Sequence, residues 1–270
     1  MKIGKFHILG TLGTGAHSTI LHIRRAEDAR HYALKVVKID AADERKFLEQ
    51  AQHEFLIAQK LDHPNLVKIY ALETERDWLF RIRKIHLLIE YVPGKTLDTL
   101  QQFDIPRLLE IFEKVAGALV HMHRRSVCHA DLKPNNIMIS DRDGDVKILD
   151  YGLAWIKGEP KGRVQGTPEY MAPEQVTQRV VNERTDIYNL GATMYRMLTF
   201  HLPPNALKVA RDSNLVDAET WKMALKPVQD FNPKAPDELC DLVRKCLSYK
   251  GSDRPERMSD VQEALARVPR

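Results

Sequence analysis

Two stretches of this 270-residue chain concentrate side chains that could do chemistry: His129-Ala130-Asp131-Leu132-Lys133-Pro134-Asn135-Asn136 and Asp150-Tyr151-Gly152. Upstream of them lie Gly13-x-Gly15-x-x-Ser18, the strand-like Ala33-Leu34-Lys35, and Glu54, 19 residues after the lysine. A short glycine pattern has two readings. It is a plain β-turn, or a strand-turn-strand whose missing side chains let backbone amides approach phosphate oxygens. In the second reading Ile20, two residues beyond Ser18, is placed to cover an adenine ring. Lys35 is likewise either a solvated strand lysine or a cation for phosphate oxygens, and the latter needs a carboxylate to orient its ammonium. Glu54 offers one, against the alternative of a solvated helix face, and Glu49 competes for the role.

Positioning these residues requires an ordered set of elements. Phe6 to Leu12, Thr19 to Arg24 and His31 to Lys38 are β-prone runs separated by turn residues. Ala41 to Leu61 lacks Gly and Pro and predicts one long helix, stopped by His63-Pro64-Asn65. Leu66 to Leu72 and Ile85 to Val92 read as strands, with the charged stretch Glu73 to Lys84 joining them as a long hairpin. After Pro93-Gly94 the pattern becomes helical. Leu108, Phe112, Val115, Leu119 and Met122 recur at three-four spacing, which marks a buried helix face. Val146 to Leu149 reads as a strand that delivers Asp150 at its end, and Thr185 to Leu198, Asp237 to Leu247 and Ser259 to Arg267 read as further helices. The expectation is an α+β chain with a small antiparallel-sheet lobe and one long helix over residues 1–92, then a larger, mainly helical lobe over 93–270.

In this order the residues resemble the eukaryotic-type protein kinase superfamily, in its Ser/Thr branch and in the style of a bacterial Ser/Thr kinase. The resemblance runs from the glycine loop to Arg254 and includes Ala172-Pro173-Glu174. It favours Glu54 over Glu49, because Leu61-x-His63-Pro64-Asn65 follows at the family's distance. It implies a single bilobal kinase domain over 1–270 that uses ATP and Mg²⁺ to phosphorylate Ser/Thr hydroxyls of protein substrates. Carried over residue by residue, Asp131 is the base for the acceptor hydroxyl and Lys133 neutralises the γ-phosphate. Lys35 with Glu54 holds the α- and β-phosphates, and Asn136 and Asp150 are the Mg²⁺ ligands. The nucleotide lies among Leu12, Gly13, Gly15, Ser18, Ile20, Ala33, Lys35, Ile89, Glu90, Val92 and Met138, with backbone groups of Glu90 and Val92 on the adenine and Ile89 as gatekeeper. Thr167, in Gly166-Thr167-Pro168-Glu169-Tyr170, joins the catalytic set and, with Lys133, matches the Ser/Thr branch. Asp186 holds the catalytic-loop backbone, and Glu174 pairs with Arg254. Leu153 resembles kinases that prefer Ser over Thr.

The departures bear on regulation. Ala130 replaces the Arg that pairs with a phosphate on the activation segment in many relatives. The segment 153–166 itself contains no Ser, Thr or Tyr. Receptor and phosphosite are absent together, so activation-segment phosphorylation is not expected to be needed. Tyr151 stands in place of Phe and brings a hydroxyl that wants a partner. Ala58 stands where a larger apolar residue is usual, leaving a gap unless Leu56 or Ile57 fills it. His17, at the glycine-loop tip, is expected to face solvent. A pseudokinase is the main rival reading, but Lys35, Asp131, Asn136 and Asp150 are all present. A small-molecule phosphotransferase would lack the Ala-Pro-Glu segment.

Composition excludes several other classes. With 41 Lys+Arg against 37 Asp+Glu, the net charge of +4 gives no case for nucleic acid. Apolar runs are too short for a membrane span, and no signal peptide opens the chain. Cys128, Cys240 and Cys246 have no metal-ligand spacing, which fits a reducing cytoplasm. The chain begins and ends close to its motifs, as a domain cut from a longer protein would. A homodimer through the sheet lobe and further partner domains stay open.

Overall fold

The structure is a computed structural model that describes residues 2–3, 5–15, 17–39, 44–100, 103–157, 165–205 and 218–270. The chain divides into two compact units. One is Met1–Pro93 together with Asp150–Gly152, and the other is Gly94–Leu149 with Leu153–Arg270. The crossing falls at Pro93/Gly94, and the Asp150-Tyr151-Gly152 segment belongs with the first unit.

The first unit is a six-stranded antiparallel sheet with one helix. Its strands are β1 (Lys2–Ile3), β2 (Phe6–Thr14), β3 (Ser18–Arg25), β4 (His31–Lys38), β5 (Ile69–Arg76) and β6 (Ile82–Glu90), in spatial order β1-β2-β3-β4-β6-β5. Interior β4 carries Tyr32, Ala33, Leu34, Val36 and Val37, all buried. Helix α1 spans Glu44–Gln59 within the expected 41–61, and residues 41–43 lie outside the described residues. Its inward face is Ala51, Glu54, Ile57 and Ala58, spaced for a helix, so a carboxylate sits on an otherwise apolar stripe.

The β5–β6 pair departs from the sequence expectation. Residues 66–68 lie before β5 rather than in it, and the ladder runs on through Arg76 and begins again at Ile82. The reason is electrostatic. Glu75 stands opposite Lys84 in the register and accepts from its Nζ at 2.8 Å, so residues read as a loop from their charge form a cross-strand pair.

The second unit is mainly helical. Helix α2 (Ile105–His123) starts with the Asp104 side chain accepting from the Arg107 N–H, and Pro106 occupies its first turn. Leu108, Phe112, Val115, Leu119 and Met122 are all buried, as their spacing requires. Helix α3 is Pro173–Thr177, and α4 is Glu183–Thr199, capped by the Asn182 side chain. Helices α5 (Ala218–Ala224), α6 (Asp237–Cys246) and α7 (Met258–Arg267) complete the set among the described residues. Short strands β7 (Gly94–Thr96), β8 (Val127–Cys128), β9 (Ile137–Ser140), β10 (Val146–Ile148) and β11 (Trp155–Ile156) form the sheets β10-β9-β7 and β11-β8. Helix α4 is buried along almost its whole length and is the core element of the unit.

Two helical glycines separate packing from propensity. A Cβ on Gly191 would lie 2.7 Å from the Cβ of Cys246, a contact that cannot be relieved by a side-chain rotation. A Cβ on Gly117 would meet only the mobile end of Gln262, at 2.9 Å. Chemical denaturation should therefore find Gly191→Ala destabilised by about 1–3 kcal/mol. Gly117→Ala should be neutral or gain up to about 1 kcal/mol from helix propensity. Equal effects would contradict the α4–α6 packing.

Candidate active site

In the first unit, β4 and α1 bring Lys35 and Glu54 together. The lysine Nζ donates to both carboxylate oxygens, at 3.0 and 2.8 Å, and lies 3.7 Å from Asp150 Oδ1. Glu54 is only 3% exposed. Burial pulls the Lys35 ammonium toward its neutral form, but the carboxylates of Glu54 and Asp150 outweigh it and hold its pKa above the ordinary value. Burial pushes the Glu54 carboxyl upward, with Asp150 adding and Lys35 opposing. Glu49 is exposed and pairs with Arg45 instead.

Asp150 sits at φ 61°, in the left-handed region, where Asp is among the better-tolerated residues. Its Oδ1 accepts from the Gly152 N–H at 3.0 Å, and about half its side chain is exposed. The neighbouring Tyr151 is fully buried, and its hydroxyl finds the partner it needs in the Val67 carbonyl at 2.7 Å. Burial pushes that hydroxyl's pKa up. Ala58 and Ile57 are both buried, whereas Leu56 is 61% exposed and does not fill the space beside Ala58.

The glycine segment is a strand-turn-strand. Gly15 N–H donates to the Ser18 carbonyl at 2.7 Å, and Gly13 pairs with Ile20 across β2 and β3. A Cβ on Gly13 would meet nothing, so its backbone is open to close approach. His17 is exposed, as expected, but its ring also lies against Phe47 of α1 at 5.1 Å between centroids. Leu12 is exposed at the strand edge, Ala33 is buried, and Ile89 and Val92 are half-buried. The Glu90 N–H donates to the Lys68 carbonyl at 2.8 Å.

In the second unit the segment after β8 folds around Asp131. Its Oδ1 accepts from the Thr167 N–H at 2.7 Å and its Oδ2 from Lys133 Nζ at 2.9 Å. The same ammonium donates to Thr167 Oγ1. Asn136 donates its side-chain N–H to the Asp131 carbonyl at 2.9 Å, so the amide oxygen is the atom left for a cation. Met138 lies on β9, opposite Lys147 and Thr96.

Beneath this loop, α4 supplies Asp186. Its oxygens accept from the His129 and Ala130 N–H groups, both at 2.8 Å, and from His123 Nε2 at 2.8 Å. Burial alone would raise its pKa, but the His123 bond, with the surrounding imidazoles and the Ala130 N–H, holds it below the ordinary value. The carboxylate therefore stays ionised.

Glu174 and Arg254 form a bidentate pair at 2.8 and 2.9 Å. The guanidinium also donates to the carbonyls of Ser248, Tyr249 and Arg184. Thr185 Oγ1 donates to Glu174 at 3.0 Å. Arg254 is buried and Glu174 mostly so, unlike an exposed pair of small worth.

Three contributors were not singled out from sequence: His123, Gln175 and Asn189. Buried Gln175 donates to the Ala130 carbonyl at 3.0 Å and accepts from the Ala172 N–H at 2.9 Å. Asn189 donates to the Tyr170 carbonyl at 2.6 Å. Only the position of Gln175, directly after Ala172-Pro173-Glu174, hinted at such a role.

A sheet-plus-helix unit bearing the Lys35–Glu54 pair, followed by a helical unit bearing the Asp131–Lys133–Asn136 loop, defines the protein kinase class. The protein kinase domain family matches residues 6–266, and the chain belongs to it. It is 29% identical to serine/threonine-protein kinase PrkC of Bacillus subtilis, over 96% of this chain and 40% of that protein. It is 30% identical to a probable serine/threonine-protein kinase of Streptomyces coelicolor, over 98% of this chain and 41% of that one. With cAMP-dependent protein kinase type 3 of Saccharomyces cerevisiae it shares 29% identity over 97% of this chain and 64% of the other. The chain thus spans about two fifths of the two bacterial relatives.

Because Glu174 is largely covered and faces the buried guanidinium, Arg254→Leu should leave a poorly compensated carboxylate and cost about 3 kcal/mol. A thermal or urea unfolding curve checks this. A loss below about 1 kcal/mol would place the pair with ordinary surface ion pairs.

Proposed function

We propose that this chain is an ATP- and Mg²⁺-dependent protein kinase that transfers the γ-phosphoryl group to Ser/Thr hydroxyls of protein substrates. The observation that carries the reading is the Asp131 carboxylate, held by Thr167 and Lys133 on a loop fixed from below by Asp186. Asp131 accepts the acceptor hydroxyl's proton and orients its oxygen, and Lys133 neutralises charge on the transferred group. Lys35, oriented by Glu54, holds the α- and β-phosphates. The half-exposed Asp150 carboxylate and the Asn136 amide oxygen are hard donors that fit Mg²⁺. Bound metal would neutralise phosphate charge. The glycine turn, Leu12, Ile20, Ala33, Ile89, Met138 and backbone groups of Glu90 and Val92 serve the nucleotide. Three buried free thiols suit a reducing compartment such as the cytoplasm.

The activation segment needs no phosphate in this reading. Ala130 offers no guanidinium to receive one, and its carbonyl is instead tied to Gln175. Thr167 is held through both its N–H and its hydroxyl, and Tyr170 is buried. Residues 158–164 of the segment lie outside the described residues, but they contain no hydroxyl-bearing side chain.

Labelled ATP with Mg²⁺ and a generic Ser/Thr substrate should give transfer that Asp131→Asn lowers by about 10³-fold or more, with ATP binding kept. Phosphatase pretreatment should leave the rate unchanged. Nucleotide binding without transfer would overturn the enzyme reading in favour of a pseudokinase. Loss of activity after phosphatase, mapped to Thr167 or Tyr170, would overturn the segment reading alone.

A further inference from the structure

The hairpin between β5 and β6 ends in Trp78, Leu79 and Phe80, which are 85%, 46% and 79% exposed. Three consecutive large apolar side chains in water at one convex tip are unusual for a soluble surface. The tip is also built to stay as it is. The Asp77 carboxylate accepts from the N–H groups of Leu79 and Arg81, at 2.9 and 3.0 Å, and from Arg83 Nε at 2.9 Å. The Asp77 N–H donates to the Arg81 carbonyl, the Phe80 N–H to the Asp77 carbonyl, and Arg76 to the Phe80 carbonyl. Ile82 and Ile85, both buried, root the hairpin in the sheet. Most of the turn's backbone polar groups are therefore satisfied internally, which removes most of the cost of taking them out of water.

Around the tip, residues 76–84 hold Arg76, Arg81, Arg83 and Lys84 against Asp77, a net charge of +3. Lys84 is paired with Glu75 farther down the ladder and Arg83 with Asp77, so the exposed guanidiniums of Arg76 and Arg81 carry the excess positive charge beside the aromatic side chains.

We propose that this hairpin tip inserts into the interface of a membrane carrying anionic lipids. Trp78, Leu79 and Phe80 enter the headgroup–acyl boundary, and Arg76 and Arg81 meet lipid phosphates. Tryptophan with its apolar ring and N–H suits the interfacial layer, and the arginine collar complements an anionic surface. No described helix is long and apolar enough to cross a membrane, and a hairpin tip of this size enters the interface without spanning it.

The test is co-sedimentation with vesicles of phosphatidylcholine alone and of equal parts phosphatidylcholine and phosphatidylglycerol, read together with tryptophan emission. Trp221 is buried and Trp155 half-buried, so a blue shift reports Trp78. The anionic vesicles should bind the chain and shift its emission, more weakly as salt is added. Trp78→Ser and Phe80→Asn should each weaken partitioning about tenfold, and Asn accepts the left-handed φ of 60° at position 80. Arg81→Gln should weaken it about fivefold. All three variants should keep the parent melting temperature. Failure to bind either vesicle, or undiminished binding by the Trp78→Ser/Phe80→Asn double variant, would overturn the proposal. A lipid-free dimer abolished by the same double variant would overturn it too, by assigning the tip to a second copy.

Discussion

The carboxylate of Asp186 is fully buried and accepts two backbone N–H bonds, from His129 and Ala130, and one from His123. In a low-dielectric interior such charge-assisted bonds are strong, and leaving any partner unpaired is costly. They hold Ala130 at φ 64°, a left-handed conformation that costs about 1–2 kcal/mol for a non-glycine residue. The next residue is Asp131, so this fixed backbone sets where its carboxylate points. Gln175 takes the outward carbonyl of Ala130 and passes the constraint to the Ala172-Pro173-Glu174 segment. Asn189, one turn along α4 from Asp186, holds Tyr170. One buried helix thus fixes both the loop bearing the proposed base and the segment beside it.

The first unit solves a matching problem with a different device. A carboxyl as buried as Glu54 would drift toward its neutral form, and a neutral acid orients an ammonium poorly. The two bonds from Lys35 oppose that drift, and the ammonium in turn keeps its charge because Glu54 and Asp150 outweigh burial. Placing Glu54 on the apolar face of α1 is what lets the helix aim it at β4.

Much of this was legible in the sequence because phosphoryl-transfer chemistry demands particular side chains at particular spacings. Lys35 and Glu54 meet as their spacing implied, and the apolar face of α2 followed from its spacing. What stayed hidden lay in tertiary context. Residues 73–76 read as loop because charge marks exposure, yet opposite charges across a ladder stabilise strands. Gln175 and His123 act through bonds to groups 45 and 63 residues away, which no local pattern encodes. Leu56 and Ile57 could not be told apart beside Ala58, since neighbouring positions on a helix differ only in the direction the packed helix gives them. Trp78, Leu79 and Phe80 read as part of a charged connector, and their exposure is visible only once the turn is built.

The most direct test of this account is single-turnover transfer by Asp186→Asn, below its melting temperature and with ATP binding measured in parallel. An amide there cannot accept both backbone N–H bonds as an ionised carboxylate does, so the loop beneath Asp131 loosens. The account predicts a transfer rate lowered by about 10²-fold with ATP affinity kept. A folded Asp186→Asn chain that transfers phosphate at the parent rate would contradict it.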